Sequence, residues 1–251
     1  MSIFEIIILG ILQGLTEFLP VSSSGHLVIA QYILDMEYSG NTIEILFHIG
    51  TLGSVLFIFF DDIKNIFISY DKNAKLLFYI FIASLPGVVV GLTFKSQIEL
   101  YFDNLIYVGF SLCFTALFLV ISSKTKIKHS KHTILSSIVI GSAQAVAILP
   151  GISRSGMTIS FALLLGFSPK ESARFSFLLS IPIITGAGLV GLISNNSIKI
   201  FPTELVVLAV ITSFLTGVVA LKFLLRILEY GKFYIFGIYC LFIGLAIIII
   251  L

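Results

Sequence analysis

A glutamine, a glutamate, an arginine and a histidine stand inside otherwise apolar stretches of the chain. Gln13 and Glu17 are four residues apart, so a helix would place both side chains on one face. A carboxylate buried among apolar residues must be paired or must coordinate a metal. Glu17 is therefore a candidate cation ligand or general acid/base, with a purely structural ion pair to Arg154 as the alternative.

Arg154 is the only Lys or Arg residue between positions 134 and 167, and Ser153, Ser155 and Gly156 flank it. Its guanidinium group offers forked donors that match a phosphoryl group. A helix beginning near this position would add free backbone N–H groups and the positive end of its dipole. This pattern predicts an anion site that suits a phosphoryl group better than a carboxylate, unless Arg154 only pairs with Glu17.

His26 directly follows the run Ser22-Ser23-Ser24-Gly25. An imidazole can act near neutral pH as a nucleophile, a base or a metal ligand. The serines are candidates for binding phosphate oxygens, and Ser23 is our choice if one of them is the nucleophile. The alternative is that they satisfy backbone groups freed by a broken helix.

Three further polar residues carry weaker signals. Thr158 would cap or line a second short helix beyond Arg154. His48 lies with Glu44 in the apolar segment 43–60, and we interpret both as interhelical packing or hydrogen bonding.

Composition defines the kind of protein that must position these residues. Of 251 residues, 58% are hydrophobic and only 11% are charged, against about 25% charged in soluble domains; the mean hydropathy is +1.12. A net charge of +2 argues against nucleic acid as a partner, and the two cysteines lie in apolar runs. Because these runs are continuous and do not alternate, the composition predicts a polytopic α-helical membrane protein rather than a barrel.

Six apolar segments are long enough to span a bilayer, which takes about 20 residues. They are 43–60, 77–94, 105–122, 175–194, 204–223 and 233–251. Two further regions, 3–34 and 134–167, are interrupted at Pro20 and at Pro150-Gly151. Their second arms, 27–34 and 158–167, are too short to span, so each region is predicted to be a re-entrant hairpin.

The distribution of basic residues supports this scheme. Segments 61–76, 123–133, 168–174 and 222–232 together hold 12 of the 15 Lys and Arg residues, whereas loop 35–42 holds none and segment 195–203 only Lys199. The positive-inside rule places the four basic segments in the cytoplasm. Six crossings then alternate without conflict, the second hairpin opens to the cytoplasm, and the first opens to the outside.

The sequence also contains an internal repeat. A shift of 131 residues carries Gly10, Gln13, Ser22 and Gly25 onto Gly141, Gln144, Ser153 and Gly156. We therefore expect a single integral membrane domain, 1–251, with one repeat at about 1–125 and a second at about 132–251. Because each half has three spans, the second half is inverted, and such folds place a site where the two breaks meet.

The stretches QGLTEFLPVSSSGH at 13–26, LPGISRSG at 149–156 and ARFSFLLSIP at 173–182 resemble the signatures of the undecaprenyl pyrophosphate phosphatase family (BacA/UppP). The resemblance implies a membrane enzyme that hydrolyses undecaprenyl pyrophosphate to undecaprenyl phosphate and inorganic phosphate. This reaction recycles the carrier lipid for peptidoglycan and other cell-wall polymers and confers bacitracin resistance. It also implies a multi-pass protein of the bacterial inner membrane whose site faces the extracytoplasmic side.

The same resemblance implies roles for individual residues. It implies that His26 and Arg154 are essential, and that Mg²⁺ or Ca²⁺ is bound by a Glu/Gln-x-x-x-Glu motif, which here reads Gln13 to Glu17. With one carboxylate the motif alone would bind metal weakly, so the pyrophosphate is expected to supply further ligands. The resemblance implies that Ser22, Ser23, Ser24, Ser153 and Thr158 contact phosphate. Their neighbours Gly25, Ser155 and Gly156 are further candidates for phosphate binding. The nucleophile is left open among His26, Ser23 and water.

Other functions compete with this one. Inverted repeats with broken helices are also a transporter plan, so a transporter or flippase of polyprenyl phosphate lipids is the main alternative. A PAP2-type lipid phosphatase shares the elements Ser24-Gly25-His26 and Ser153-Arg154 but needs a His after that Arg, which is missing here. A purely structural role conflicts with the cost of two polar clusters at membrane depth. Membrane lipids are expected partners, a homodimer is compatible with the sequence, and nucleic acid is not expected.

Overall fold

The computed structural model describes residues 2–34, 42–101, 104–194 and 202–251, and this part of the chain is helical without a strand. Its helices are α1 (Ile3–Phe18), α2 (Ser23–Ile33), α3 (Thr42–Ile58), α4 (Phe60–Ile68), α5 (Tyr70–Thr93), α6 (Lys95–Glu99), α7 (Leu105–Ser123), α8 (Ile134–Val146), α9 (Arg154–Leu164), α10 (Pro169–Ser194), α11 (Thr203–Glu229) and α12 (Tyr234–Ile250). Most of loop 35–42 and of segment 195–203, including Lys199, lies outside the described residues.

Four helical segments are long and apolar enough to cross a membrane: Asn73–Thr93, Leu105–Ser123, Pro169–Gly191 and Thr203–Glu229. They match four of the six predicted spans, and the chain is a polytopic helical membrane protein. The predicted spans 43–60 and 233–251 correspond to α3 and α12, which have 17 residues each. At about 1.5 Å per residue these helices fall short of a hydrocarbon core about 30 Å thick.

A sharp bend follows α3 and separates it from α4. The two helices meet at Phe59 with an angle of 67°, and the pair counts as a fifth candidate span if it is taken as one broken helix. The six predicted crossings are therefore matched by four to five candidates in the described part of the chain.

Both interrupted regions contain a break, as predicted, but the second arms begin earlier than expected. The arms begin at Ser23 and Arg154, not at 27 and 158. The reason is capping: Ser22 and Ser153 accept hydrogen bonds from the backbone N–H groups of Gly25 and Gly156, at 3.3 and 3.1 Å. A serine cap satisfies one of the free donors at a helix start. The predicted serines, His26 and Arg154 therefore lie at the caps and in the first turns of α2 and α9, whereas Gln13 and Glu17 lie on α1.

The arms before the breaks pack against the opposite half of the chain. Helix α1 contacts α11, and α8 contacts α5. Small residues allow these helices to approach: a Cβ added to Gly14 would lie 2.7 Å from the Ser213 carbonyl, and one added to Gly141 would meet the Ala83 backbone. Helices α7 and α12 also pack together, as do α3 and α11. This interlocking brings the two breaks side by side.

Candidate active site

Glu17 is the centre of a polar cluster where the two breaks meet. It lies near the end of α1 and is 8% exposed. One carboxylate oxygen, Oε1, accepts from Nη2 of Arg154 at 2.6 Å. The other, Oε2, accepts from Ser23 Oγ at 2.8 Å and from Gln13 Nε2 at 3.1 Å. Residues from three helices thus share a single buried carboxylate.

The ion pair with Glu17 uses only part of the Arg154 guanidinium group. Its Nη1 atom is buried and has no hydrogen-bond partner among the described residues. A purely structural ion pair would leave no reason for a buried donor without an acceptor, because such a group costs about 1–3 kcal/mol. Since Arg154 is also the first residue of α9, its free donor and the start of that helix have the chemistry to bind an anion.

Ser23 is the serine in contact with Glu17. The other two serines of the first break have different partners: Ser22 caps α2, and the Ser24 hydroxyl lies 3.3 Å from that of Ser22. Ser22 also adopts a φ of 71°, which is rare outside glycine and costs of the order of 1–3 kcal/mol. Of the three serines, Ser23 therefore has the geometry of a hydroxyl whose proton a carboxylate can accept.

His26 forms its hydrogen bonds outside this cluster. Its Nδ1 donates to the Ser22 carbonyl at 2.8 Å, and its Nε2 accepts from the Tyr239 hydroxyl at 2.8 Å. The two rings are stacked, with centroids 5.6 Å apart. The structure thus brings together Gln13, Glu17, Ser23 and Arg154. His26 follows Ser23 closely in α2 but is bonded to Tyr239 and stacked on its ring. Sequence reasoning missed Tyr239, whose position near the chain end gave no signal.

The remaining predicted residues shape the second break. Ser153 caps α9, and its hydroxyl lies 3.3 Å from that of Ser155. Thr158 is fully buried and is bonded to the Arg154 carbonyl at 2.9 Å and to the Ser176 hydroxyl at 2.6 Å. Its hydroxyl therefore holds α9 in place and is already engaged. We expect Thr158 to support the phosphate site rather than line it.

The glycines of the two breaks are points of close contact. A Cβ on Gly25 would lie 3.0 Å from the Cα of Gly151, and one on Gly156 would lie 3.3 Å from Pro20 Cβ. Each predicted glycine thus lets one hairpin touch the backbone or the proline of the other. The distance between the carboxylate of the first break and the guanidinium of the second depends on these contacts.

A family model described as bacitracin resistance protein BacA matches residues 6–246 of the chain. The chain belongs to this family. Proteins named undecaprenyl-diphosphatase are similar to it over their full length. That of Halothermothrix orenii is 39% identical over 100% of this chain and 98% of its own. That of Christiangramia forsetii is 40% identical over 99% of this chain and 98% of its own. That of Korarchaeum cryptofilum is 40% identical over 100% of both chains.

Membership of the BacA family confirms the resemblance that the motifs indicated. His48 also reaches this site, and we interpreted it as interhelical packing or hydrogen bonding. Its Nε2 lies 3.6 Å from Glu17 Oε2 and 3.5 Å from Gln13 Nε2, so it contacts α1 from α3. The only sequence signal was a histidine in an apolar segment, and nothing in the spacing linked position 48 to position 17.

The residues of the site fit a divalent cation in part. The Oε1 atom of Gln13 is buried and has no partner in the described part of the chain, so an oxygen ligand is available beside Glu17. No group of three or more His, Cys, Asp or Glu residues with metal-binding spacing occurs among the described residues. Because Arg154 already neutralises Glu17, a divalent cation here would depend on the charge of a bound diphosphate.

Proposed function

We propose that the chain is an undecaprenyl-diphosphatase of the BacA family, which hydrolyses undecaprenyl pyrophosphate to undecaprenyl phosphate and inorganic phosphate. The observation that carries the proposal is the buried carboxylate of Glu17, which contacts a hydroxyl from its own break and a guanidinium from the other. The reaction returns carrier lipid to peptidoglycan synthesis, and bacitracin resistance follows from it. A transporter is not favoured, because the relatives are phosphatases by name and transport requires no hydroxyl paired with a carboxylate.

Arg154 and the start of α9 would hold the terminal phosphoryl group. The free Nη1 donor and the uncapped N–H groups at the start of α9 would stabilise the charge that develops during phosphoryl transfer. Such transfer depends mainly on positioning and charge stabilisation. Ser153, Ser155 and Gly156 would shape this cradle, and Ser22, Ser24 and Gly25 would form the opposite wall.

Ser23 is the proposed nucleophile. Its Oγ attacks the terminal phosphorus, the Oγ–P bond forms, and the bond to the bridging oxygen breaks, so that undecaprenyl phosphate leaves. The hydroxyl proton passes to Glu17 Oε2, which lies 2.8 Å away. Water then attacks the phosphoserine, its Oγ–P bond breaks, Glu17 returns the proton to Ser23 Oγ, and inorganic phosphate leaves. His26 is the proposed base that takes the proton of that water, in place of the hydrogen bond that its Nε2 accepts from Tyr239. We place Mg²⁺ or Ca²⁺ at Gln13 and Glu17, where a bound cation would neutralise charge on the diphosphate.

The polyprenyl tail would lie on the apolar surface between α5 and α8. A hollow of about 940 Å³ lies there, lined by Leu85, Val89, Phe94, Ile138, Val146 and Leu149 among others. Helix α8 leads directly into the second break, so a tail in this hollow would extend from the phosphate site. Each buried CH₂ group would contribute about 0.8 kcal/mol.

The membrane arrangement belongs to the same proposal. We propose six spans and two re-entrant hairpins in one domain, 1–251, with inverted repeats at about 1–125 and 132–251. The hairpin arms α2 and α9 have 11 residues each, about half the length of a membrane span. The protein would reside in the bacterial inner membrane with its site open to the extracytoplasmic side. The homodimer stays a prediction, which the mass of the detergent-purified protein tests.

Trapping the phosphorylated enzyme tests the nucleophile. Purified protein is mixed with undecaprenyl pyrophosphate labelled at its terminal phosphate and quenched within milliseconds. An acid-stable adduct that Ser23→Ala abolishes and Ser24→Ala retains is the expected result. An acid-labile adduct lost in His26→Gln would instead identify a phosphohistidine, and hydrolysis without any adduct would identify water.

A further inference from the structure

Three side-chain atoms on two helices converge beside the reacting carboxylate. Glu17 Oε2 and Gln13 Nε2 lie 3.1 Å apart, Gln13 Nε2 and His48 Nε2 lie 3.5 Å apart, and Glu17 Oε2 and His48 Nε2 lie 3.6 Å apart. The first two residues belong to α1 and the third to α3. They form a small triangle of polar atoms on the side of Glu17 away from Arg154, which contacts Oε1.

The tautomer of His48 is set by its backbone. Its Nδ1 lies 2.7 Å from the Glu44 carbonyl oxygen, and a carbonyl can only accept. Nδ1 therefore carries the hydrogen, so in the neutral ring Nε2 presents its lone pair. That lone pair lies 3.6 Å from the carboxylate oxygen of Glu17, and two acceptors this close require a donated hydrogen or a cation between them.

The NH₂ group of Gln13 lies near both of these acceptors in the structure, but the carbonyl oxygen of the same amide is left without a partner among the described residues. The NH₂ group donates to Glu17 and reaches towards His48, while Oε1 is buried. The nitrogen and oxygen of such an amide exchange places by a half-turn. After that rotation Oε1 would take the corner now held by Nε2, so that two oxygens and one nitrogen would face a common point.

This triangle has the size of one face of a metal coordination shell. Ligands about 2.0–2.2 Å from a divalent cation stand about 3.0–3.6 Å from one another. We propose that His48 is the third protein ligand, with Gln13 and Glu17, of the cation that assists the reaction. This inference rests on the proposed function, because the diphosphate supplies the charge that one carboxylate, already paired with Arg154, cannot.

A nitrogen ligand changes which cation the site prefers. Mg²⁺ and Ca²⁺ favour oxygen ligands, whereas imidazole suits transition metals, and Mn²⁺ accepts both carboxylate and imidazole. We therefore expect Mn²⁺ to bind more tightly than Mg²⁺ or Ca²⁺. Replacing His48 with glutamine should weaken Mn²⁺ binding at least about tenfold and change Mg²⁺ binding much less.

Pulsed electron paramagnetic resonance tests nitrogen ligation directly. Detergent-purified protein would be loaded with Mn²⁺ in the presence of methylenediphosphonate, a diphosphate that is not hydrolysed. Wild type is expected to show ¹⁴N modulation from a bound imidazole, and His48→Gln is expected to lose it. His132→Gln is the matched control, since His132 packs against Phe167 and Phe175 away from the site, and it should retain the modulation.

The proposal would be overturned by ¹⁴N modulation that persists in His48→Gln, or by protein-bound Mn²⁺ without modulation in wild type. Failure of wild type to bind Mn²⁺ with the diphosphonate would also overturn it. Phosphate release from undecaprenyl pyrophosphate with Mg²⁺, measured on the same samples, separates the two hypotheses. Release without modulation rejects the His48 ligand alone, whereas absence of release rejects the proposed function.

Discussion

The two breaks have the same backbone arrangement and different chemistry. In each, a serine caps the short helix through the N–H of a glycine three residues later, Ser22 with Gly25 and Ser153 with Gly156. In each, the hydroxyl two residues after the cap lies 3.3 Å from that of the cap. The scaffold that ends one helix and begins another is therefore used twice.

The residues that we propose to take part in the reaction occur once. The shift of 131 residues that superimposes the serines places Glu17 on Ile148 and Ser23 on Arg154. The first break thus carries the carboxylate and its hydroxyl, and the second carries the guanidinium. A buried charge needs a partner, and here each half provides the partner of the other. Assembly of the two halves and assembly of the site are consequently the same event.

The strongest way to break this comparison is to remove the guanidinium group of the second break. Arg154→Lys keeps the charge but loses the forked donors and the free Nη1 group, so phosphate release should fall about 10³-fold. Arg174→Lys is the control, because Arg174 pairs with Asp62 at 2.7 Å with both side chains 38% exposed. Activity should stay within about twofold there. Equal losses in both variants would contradict the assignment of Arg154.

A change within the first break should have the next largest effect. Ser23→Ala removes the hydroxyl bonded to Glu17 and should lower the rate of phosphate release at least about 100-fold. Ser24→Ala removes a hydroxyl that contacts only Ser22 in the described structure, so a loss below about tenfold is expected. Steady-state rates at saturating substrate distinguish the two serines. A larger loss of rate for Ser24→Ala than for Ser23→Ala would identify Ser24 as the nucleophile.

The contact between the breaks should be sensitive to a single methyl group. Gly25→Ala would place a Cβ 3.0 Å from the Gly151 backbone, and Gly151→Ala would place one 2.6 Å from Ser111 Cβ at a φ of +85°. We expect a loss of stability of about 1–3 kcal/mol for Gly25→Ala and more for Gly151→Ala. Thermal unfolding in detergent measures both. Unchanged unfolding of Gly25→Ala would show that the breaks are not held by this contact.

The smallest effect concerns the base of the second hairpin, where His132 stacks on Phe167 and Phe175. Burial lowers the pKa of His132 below its usual 6.5, and Arg174 adds to this while Glu171 opposes it. The unfolded chain therefore takes up this proton first as pH falls. The contribution of neutral His132 to stability should be fully present above pH about 6.5. Below that pH it should decline, which lowers the melting temperature by about 2 °C. His132→Phe should remove this part of the pH dependence. If the melting temperature of that variant still falls below pH about 6.5, another group causes the effect.

Much of the site was predictable because its residues lie in two short motifs. Polar and charged side chains cost free energy when they are buried in apolar segments. That cost identified Glu17, Ser23 and Arg154 as candidates. The helix starts were less predictable, since the capping serines extended α2 and α9 over residues expected to be irregular. His48 and Tyr239 could not be predicted, because their roles arise from packing of α3 and α12 against the first hairpin, which no local pattern encodes.

Phosphate release from undecaprenyl pyrophosphate by the detergent-purified protein tests the central claim most directly. Wild type would be compared with Glu17→Gln and Arg154→Lys, each with Mg²⁺ and with EDTA, after lipid binding and folding have been checked. We predict metal-dependent release by wild type and near-complete loss in both variants, one from each break. Lipid binding by wild type without phosphate release would contradict the account and make the two breaks an anion-binding site of a transporter.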